Sequence, residues 1–235
     1  MSEEKVQFYC YNLCPFAQRA WIGLLHKAIP FDYHEVNPYN KTKEWLNINP
    51  RGLVPTIVYE GKSVYESGIC LEFLEDTFPK TPKIFPSDSF GKAQQRMWGD
   101  HICKKIQSNF FALLMKQDKE TQAEVANKLL DAVESLFEEA DANGPYLAGG
   151  DLQYADIMLA PFALSFDSVL RPTRQFQVPS ENMRFYRWLA SVESHPSILP
   201  TTPDPEILLE SWLPYTNDTA SSEAATAIRT GNVIP

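Results

Sequence analysis

The stretch Cys14-Pro15-Phe16-Ala17-Gln18-Arg19-Ala20 constrains this chain more than any other, because it joins a strand-like run to a helical one. Before it, Val6-Gln7-Phe8-Tyr9-Cys10 alternates as a short strand does, and Asn12 marks a turn. After it, Trp21, Ile22, Leu24 and Leu25 continue an apolar helical pattern over 15–27. Phe31-Asp32-Tyr33-His34-Glu35-Val36 alternates again. Strand, helix and strand in that order make a βαβ unit, with parallel strands and a right-handed crossover. Proline in the first turn of a helix costs no hydrogen bond. The Cys14 sulfur is thereby placed near the open N–H groups and positive pole of a helix start, which favour thiolate over thiol. Cysteines so placed reach pKa values of roughly 3.5–7.5. The competing reading is a buried apolar thiol, the usual fate of a free cysteine.

Further on, Asn37 to Asn47 reads as a polar loop with a short helix around Lys43–Leu46. In Asn49-Pro50-Arg51-Gly52-Leu53-Val54-Pro55-Thr56-Ile57-Val58-Tyr59, Pro55 enters a β-branched run. Proline cannot donate to a ladder, so it belongs where the strand begins, and such a kink often carries a cis bond. Glu60-Gly61-Lys62 turns into Ser63-Val64-Tyr65, which predicts a hairpin. Ser67 reads as the N-cap of a helix through Glu75, and a helix start with a hydroxyl can hold a carboxylate. A plain capped helix explains the same residues, and Glu66 beside it could take an ammonium.

The proline-rich run Phe78–Pro86 is the one clear domain boundary. Helical patterns follow over Ser89–Lys116, Glu120–Ala140, Tyr154–Val169, Ser180–Ser194 and Pro205–Leu213. Tyr154–Val169 is apolar enough to be a central buried helix. The Asn/Thr/Ser/Ala-rich tail after Tyr215 is expected either to be loosely ordered or to lie over the body.

Composition excludes several classes. With 44% hydrophobic and 22% charged residues the chain is globular rather than disordered. A net charge of −9 argues against a nucleic-acid surface, and any anionic ligand needs a local positive island. Cys10, Cys14, Cys70 and Cys103 contain no CxxC pair, and no metal ligand set is expected. No run reaches transmembrane length. Met1 to Lys5 lack the apolar core of a signal peptide, so the expected location is cytoplasmic, where thiols stay free.

Taken together, Cys14-Pro15-Phe16, the Asn49–Pro55 run, Tyr65-Glu66-Ser67 and Gly149-Gly150-Asp151 leading to Ala155-Asp156 resemble the glutathione transferase family. Within it they resemble the cysteine-containing, omega-like group, over about Val6 to Leu213. The resemblance implies an α/β plus all-α fold. Residues 1–80 would form a thioredoxin-like glutathione-binding domain (βαβ-ββα, a four-stranded mixed sheet) and 81–91 a linker. Residues 92–216 would form an all-helical domain and 217–235 a tail. It implies that Cys14 is catalytic, that Phe16 lines the site, and that Val54 offers its backbone to glutathione with Pro55 cis behind it. Glu66 and Ser67 would hold the γ-glutamyl group, and Lys41 the glycyl carboxylate, with Lys43 the alternative. A homodimer is also implied. Two departures stand out. Gln153 occupies the place of the Ser or Thr that usually starts the Asp156 capping box, and is a poorer N-cap. Ala17 stands where a dithiol motif would put a second cysteine, so glutathione itself must resolve Cys14.

The expected chemistry is monothiol exchange. The Cys14 thiolate attacks a glutathionylated substrate or a glutathione adduct, forms a mixed disulfide with glutathione, and is released by a second glutathione. Deglutathionylation, dehydroascorbate-type reduction and reduction of glutathionyl adducts all fit. The rival is a carrier of small hydrophobic aromatic ligands, in a pocket built from Phe110, Met115, Phe166, Trp212 and Tyr215. The same aromatics, taken singly, suit a helical core. A catalytically silent relative is the third reading.

Overall fold

The computed structural model describes residues 5–232 and residue 234. The stretch 1–4, on which the signal-peptide reading rests, lies outside the described residues, as do 233 and 235. The first half contains β1 (Val6–Cys10), α1 (Pro15–His26), β2 (Phe31–Glu35), α2 (Lys43–Ile48), β3 (Thr56–Tyr59), β4 (Lys62–Tyr65) and α3 (Ser67–Thr77). The strands form one sheet in the order β2-β1-β3-β4, with β1 parallel to β2, antiparallel to β3, and β3–β4 a hairpin. Side chains alternate faces along a strand. Val6, Phe8 and Cys10 of β1 therefore share a face, joined by Ile57 opposite Phe8, and all four are buried with Ala17, Ala20 and Leu24 of α1 and Cys70 and Leu74 of α3. On the other face Tyr9 stacks on His34 at 4.7 Å and leans on Trp45 of α2. Gly23 lets α1 approach α3, since a Cβ there would fall 2.4 Å from Leu71 Cδ2.

The second half is helical. α4 (Ser89–His101) passes through a π-helical stretch (Ile102–Gln107) into α5 (Ser108–Met115), so the rod predicted over 89–116 is continuous but locally widened. α6 (Lys119–Glu139) follows, and α7 (Tyr154–Ser165) likewise runs through a π stretch (Phe166–Leu170) into α8 (Arg171–Arg174). α9 (Met183–Glu193), α10 (Pro205–Thr216) and α11 (Glu223–Thr230) complete the chain. α7 is buried on every side, with Ala155, Ile157, Leu159, Ala160 and Phe162 inaccessible.

The start of α7 answers the doubt raised by Gln153. Asp156 accepts from the Gln153 N–H at 2.9 Å, from the Leu147 N–H at 2.9 Å and from the Trp188 indole at 2.8 Å. The Gln153 side chain also accepts from Gln95 Nε2, while Gln95 Oε1 accepts from the Ala155 N–H at 2.8 Å. A buried glutamine of α4 thus adds a cap to α7 from outside, alongside the capping box that Gln153 and Asp156 form.

The linker is bonded to both halves. Lys27, fully buried at the end of α1, donates to Glu75 of α3 (2.7 Å) and to the Pro82 carbonyl (3.0 Å). Glu75 also accepts from the Ile84 N–H (3.0 Å), and the Ile84 carbonyl accepts from the Tyr154 N–H (2.9 Å). The tail lies over the body. Ser222 caps α11 by accepting from the Ala225 N–H, and Ala224, Ala225 and Ala227 are buried on the side that packs on α5.

Candidate active site

A cavity of about 660 Å³ opens between the sheet-bearing half and the helices, within the range of small-molecule sites. Cys14, Phe16, Lys41, Val54, Pro55, Glu66 and Ser67 all border it. Cys14 is the residue just before α1, with extended backbone (φ −89°, ψ 117°), and Pro15 opens the helix. Its N–H donates to the Tyr11 carbonyl at 2.9 Å, which tightens the turn that Asn12 begins. Burial pushes the Cys14 thiol above its ordinary pKa, while the N–H groups of Ala17 and Phe16 and the charge of Arg19 pull it down. The helix start therefore acts as predicted but is outweighed by desolvation. The expected net depression gives way to a thiol whose ionisation depends on how much positive charge faces it.

The loop before β3 is shaped by Asn49, which is fully buried. Its Nδ2 donates to the Leu53 carbonyl (2.8 Å) and to Thr56 Oγ1 (2.9 Å), and its Oδ1 accepts from the Arg51 N–H. Gly52 takes φ +64°, where a Cβ would strike Lys41. The Val54–Pro55 bond is cis. Among the described residues no protein group pairs with the N–H or carbonyl of Val54, which leaves both to the cavity.

At the start of α3 the structure corrects one expectation. The capping position belongs to Glu66, not Ser67, and Ser67 is the first helical residue. Glu66 sits at φ 73°, a backbone region that costs about 1–3 kcal/mol and clusters at ligand sites. Its carboxylate pairs with Arg51. Ser67 is released from capping, and its Oγ accepts from Arg19 Nη1 at 3.3 Å. Of the two candidate lysines, Lys41 borders the cavity and Lys43 does not. Lys41 donates to the Arg51 carbonyl (2.9 Å) and to Glu223 of α11 (2.8 Å).

The aromatic pocket divides. Trp212 and Tyr215 border the cavity, together with Phe111. Phe110, Met115 and Phe166 do not; they are buried in the helical core, where Phe110 packs on Phe162, Phe166 and Trp212. Helical spacing cannot tell a core-facing ring from a cavity-facing one a single residue away, and Phe110 and Phe111 show it. Tyr215 donates to Ser222 at 2.8 Å, and the buried Trp212 indole N–H has no partner among the described residues.

Sequence reasoning passed over Arg19, Cys103, Gln107 and the α11 residues Ser222 and Glu223, all of which border the cavity. Arg19 left a signal. It falls between Pro15 and Ile22 on the apolar stripe of α1, where a charge is out of place. Cys103 and Gln107 are turned into the cavity by the π stretch, a feature frequent at functional sites and illegible in periodicity. Cys10 and Cys70 are buried away, and burial raises both thiols strongly. Among the described residues no group of three or more His, Cys, Asp or Glu is placed to hold a metal, and no helix is long and apolar enough to cross a membrane.

The sequence and the fold have counterparts among known proteins. The family pattern described as "Glutathione S-transferase, N-terminal domain" matches residues 13–77, and "Glutathione S-transferase, C-terminal domain" matches 104–199. "Glutathione S-transferase U19" of Arabidopsis thaliana is 29% identical over 83% of this chain and 88% of its own. The crystal structure of rice GST1 (OsGSTU1) in complex with glutathione has a TM-score of 0.81 at 26% identity, covering 90% of this chain and 96% of that one. The crystal structure of glutathione transferase Omega 3C from Trametes versicolor has a TM-score of 0.82 at 34% identity, covering 90% and 91%. The two family patterns together span well over half of the sequence, one on each side of the cavity, and the chain belongs to the glutathione S-transferase family.

Proposed function

We propose that the protein is a glutathione-dependent thiol transferase of the omega-like type, with Cys14 as nucleophile. One observation carries this reading: the residue at the start of α1, at the cavity wall, is a cysteine, and Ala17 leaves no second thiol one turn on. A hydroxyl at that place could only stabilise the thiolate of glutathione, whereas a thiolate bonds with the sulfur it meets. The Cys14 thiolate attacks the glutathione sulfur of a glutathionylated substrate, the old S–S bond breaks, and the substrate leaves as a thiolate that takes a proton from water. A second glutathione thiolate then attacks the mixed disulfide and releases glutathione disulfide and Cys14. Glu66 and Ser67 receive the γ-glutamyl end, Val54 the cysteinyl backbone and Lys41 the glycyl carboxylate, with Phe16 beside the sulfur. Glutathionylated thiols, glutathionyl adducts and dehydroascorbate-type acceptors are the substrate classes. The chemistry belongs in a reducing, glutathione-rich cytoplasm.

Intact mass after incubation with glutathione disulfide tests this. The expected result is a reducible gain of one glutathionyl group, mapped to Cys14 and absent in Cys14→Ala, whose thermal midpoint stays unchanged. An adduct on Cys103 instead, or exchange retained in Cys14→Ala, overturns it.

The carrier reading keeps one supporting observation. Phe111, Trp212 and Tyr215 form an apolar wall whose indole N–H is unpaired, a place for an aromatic ligand with an acceptor. A fluorescent apolar probe that binds after Cys14 is glutathionylated would support carriage besides catalysis. The homodimer belongs to the same proposal. Phe90 and Met97, seven residues apart on α4, are 90% and 68% exposed, apolar side chains on one side of the helix that a second copy would cover and light scattering would reveal.

A further inference from the structure

Arg19 is the most unusual charge in the molecule. It is 1% exposed, yet among the described residues no carboxylate pairs with it. Its Nε donates to the Met158 carbonyl of α7 (2.9 Å), Nη1 to Ser67 Oγ (3.3 Å) and Nη2 to Gln107 Oε1 (3.1 Å). The Phe16 and Phe162 rings flank its guanidinium at 5.6 and 5.0 Å. Each of these partners is neutral, and the ionisable groups that face Arg19 are the thiols of Cys103 and Cys14 and the phenol of Tyr154 rather than a carboxylate, so the cation is hydrogen-bonded but its charge is not cancelled. A buried arginine is normally paired. This one borders the cavity.

Guanidinium has donors and no acceptor. At Ser67, therefore, Arg19 donates and Oγ accepts, which leaves the hydroxyl hydrogen free; among the described residues nothing takes it. A hydroxyl that already accepts from a cation is a stronger donor. It stands at the first position of α3, among open N–H groups. Cys14 borders the same cavity as Arg19, Cys14 just before α1 and Arg19 in its second turn. The groups around that sulfur that can carry charge are Cys10 of β1, Tyr11 of the following turn, Tyr215 of α10 and Arg19, and Arg19 is the cation among them.

We infer that Arg19 is a positioning residue. It turns the Ser67 hydroxyl toward an incoming ligand carboxylate and supplies the uncancelled positive charge that both this carboxylate and the Cys14 thiolate require. The first half of the inference rests on the glutathione reading above; the second stands without it. The acidic chain thus holds its positive island inside, shared between the two anions of one reaction.

A double-mutant cycle tests it, with Arg19→Lys, Arg19→Met and Ser67→Ala as single changes and Arg19→Lys/Ser67→Ala as the pair. Two quantities are measured on the full chain: the glutathione dissociation constant by calorimetry, and the Cys14 pKa from the pH dependence of iodoacetamide alkylation mapped to Cys14. Arg19→Met should raise the Cys14 pKa, read as a measurable loss of alkylation rate at neutral pH and a shift of the titration to higher pH. Arg19→Lys keeps the charge without the fork. It should restore most of the Cys14 titration yet weaken glutathione about tenfold, and in the Ser67→Ala background it should weaken glutathione less than about twofold further. A merely structural arginine predicts independent, additive losses of affinity and an unmoved Cys14 titration, and either result overturns the inference. Should Arg19→Met fail to fold, the lysine variant and the cycle decide. Should the wild type bind no glutathione, the glutathione reading falls, and the Cys14 titration alone judges Arg19.

Discussion

Lys27→Met should destabilise the protein by about 3–5 kcal/mol, the usual result of removing one partner of a buried ion pair. Lys27 has no exposed surface, and its Nζ lies 2.7 Å from Glu75 Oε2 and 3.0 Å from the Pro82 carbonyl. Methionine fills most of the same stem, so packing is largely kept. What is lost is the partner of a carboxylate with 10% side-chain exposure and the donor to a linker carbonyl. Lys83 Nζ, 3.8 Å from the other oxygen and 56% exposed, replaces little of it. For a chain of this size the loss corresponds to a fall in thermal midpoint of about 6–20 °C. Lys27→Met/Glu75→Leu should recover roughly 2 kcal/mol, because only the Ile84 N–H is then left without an acceptor, at about 1–3 kcal/mol. Urea unfolding at neutral pH, followed by fluorescence and circular dichroism together, measures both. A Lys27→Met cost below about 1 kcal/mol, or a double variant as unstable as the two single losses summed, would refute the reasoning. The pH dependence has a definite sign. Burial works to raise the Glu75 pKa, but the bonds from Lys27 and Ile84 and the two lysine charges win, and it is lowered. Its stabilisation is therefore complete above the ordinary carboxylate range near 4.5 and is lost as pH falls through the depressed value. In Lys27→Met this acid-side loss should shrink.

Asp156 has the opposite sign. Burial lifts it to about 6 against the pull of Leu147, Gln153, Trp188 and Arg184, so its contribution is largest when protonated and declines as pH rises from about 4 to about 6. The penalty of Asp156→Asn in urea unfolding should accordingly be smaller at pH 7 than at pH 4; a penalty that grows with pH contradicts this. Glu223→Gln frees Lys41 from an exposed pair worth about 0–1 kcal/mol, so glutathione affinity by calorimetry should rise by up to about fivefold. A fall in affinity would show that Glu223 assists binding. Phe110→Ala should cost about 3–5 kcal/mol of stability by chemical unfolding yet leave the affinity for an apolar probe unchanged, while Trp212→Ala weakens the probe. Equal effects of the two on probe binding would erase the division between core and wall.

Much of this protein is legible from local pattern. The alternation of 6–10 and 31–36, the Pro15 helix start, the Pro55 kink and the apolar run from Tyr154 depend on neighbours in the chain, and the structure places β1, α1, β2, β3 and α7 there. Cys14 and the Glu66-Ser67 pair were singled out the same way, at the starts of helices, whereas Val54 was named only through the family resemblance; all four border the cavity. Local pattern failed wherever a side chain answers to something distant in sequence. Ser67 looks like an N-cap, but α3 takes it as its first residue and its oxygen accepts from Arg19, 48 residues away. Gln153 looks like a poor cap, yet it forms the capping box with Asp156, and Gln95 adds a further acceptor 60 residues from the N–H it takes. Phe110 and Phe111 are adjacent and both touch Trp212, yet Phe110 packs on Phe166 in the core while Phe111 stacks on Phe16 and borders the cavity. The Cys14 helix start was visible, but the burial that opposes it was not, since desolvation is a sum over all the atoms that folding brings around the sulfur. The backbone's hydrogen-bonding rules act over a few residues and can be read from a few residues; burial and charge act through space, and their outcome exists only once the chain is folded.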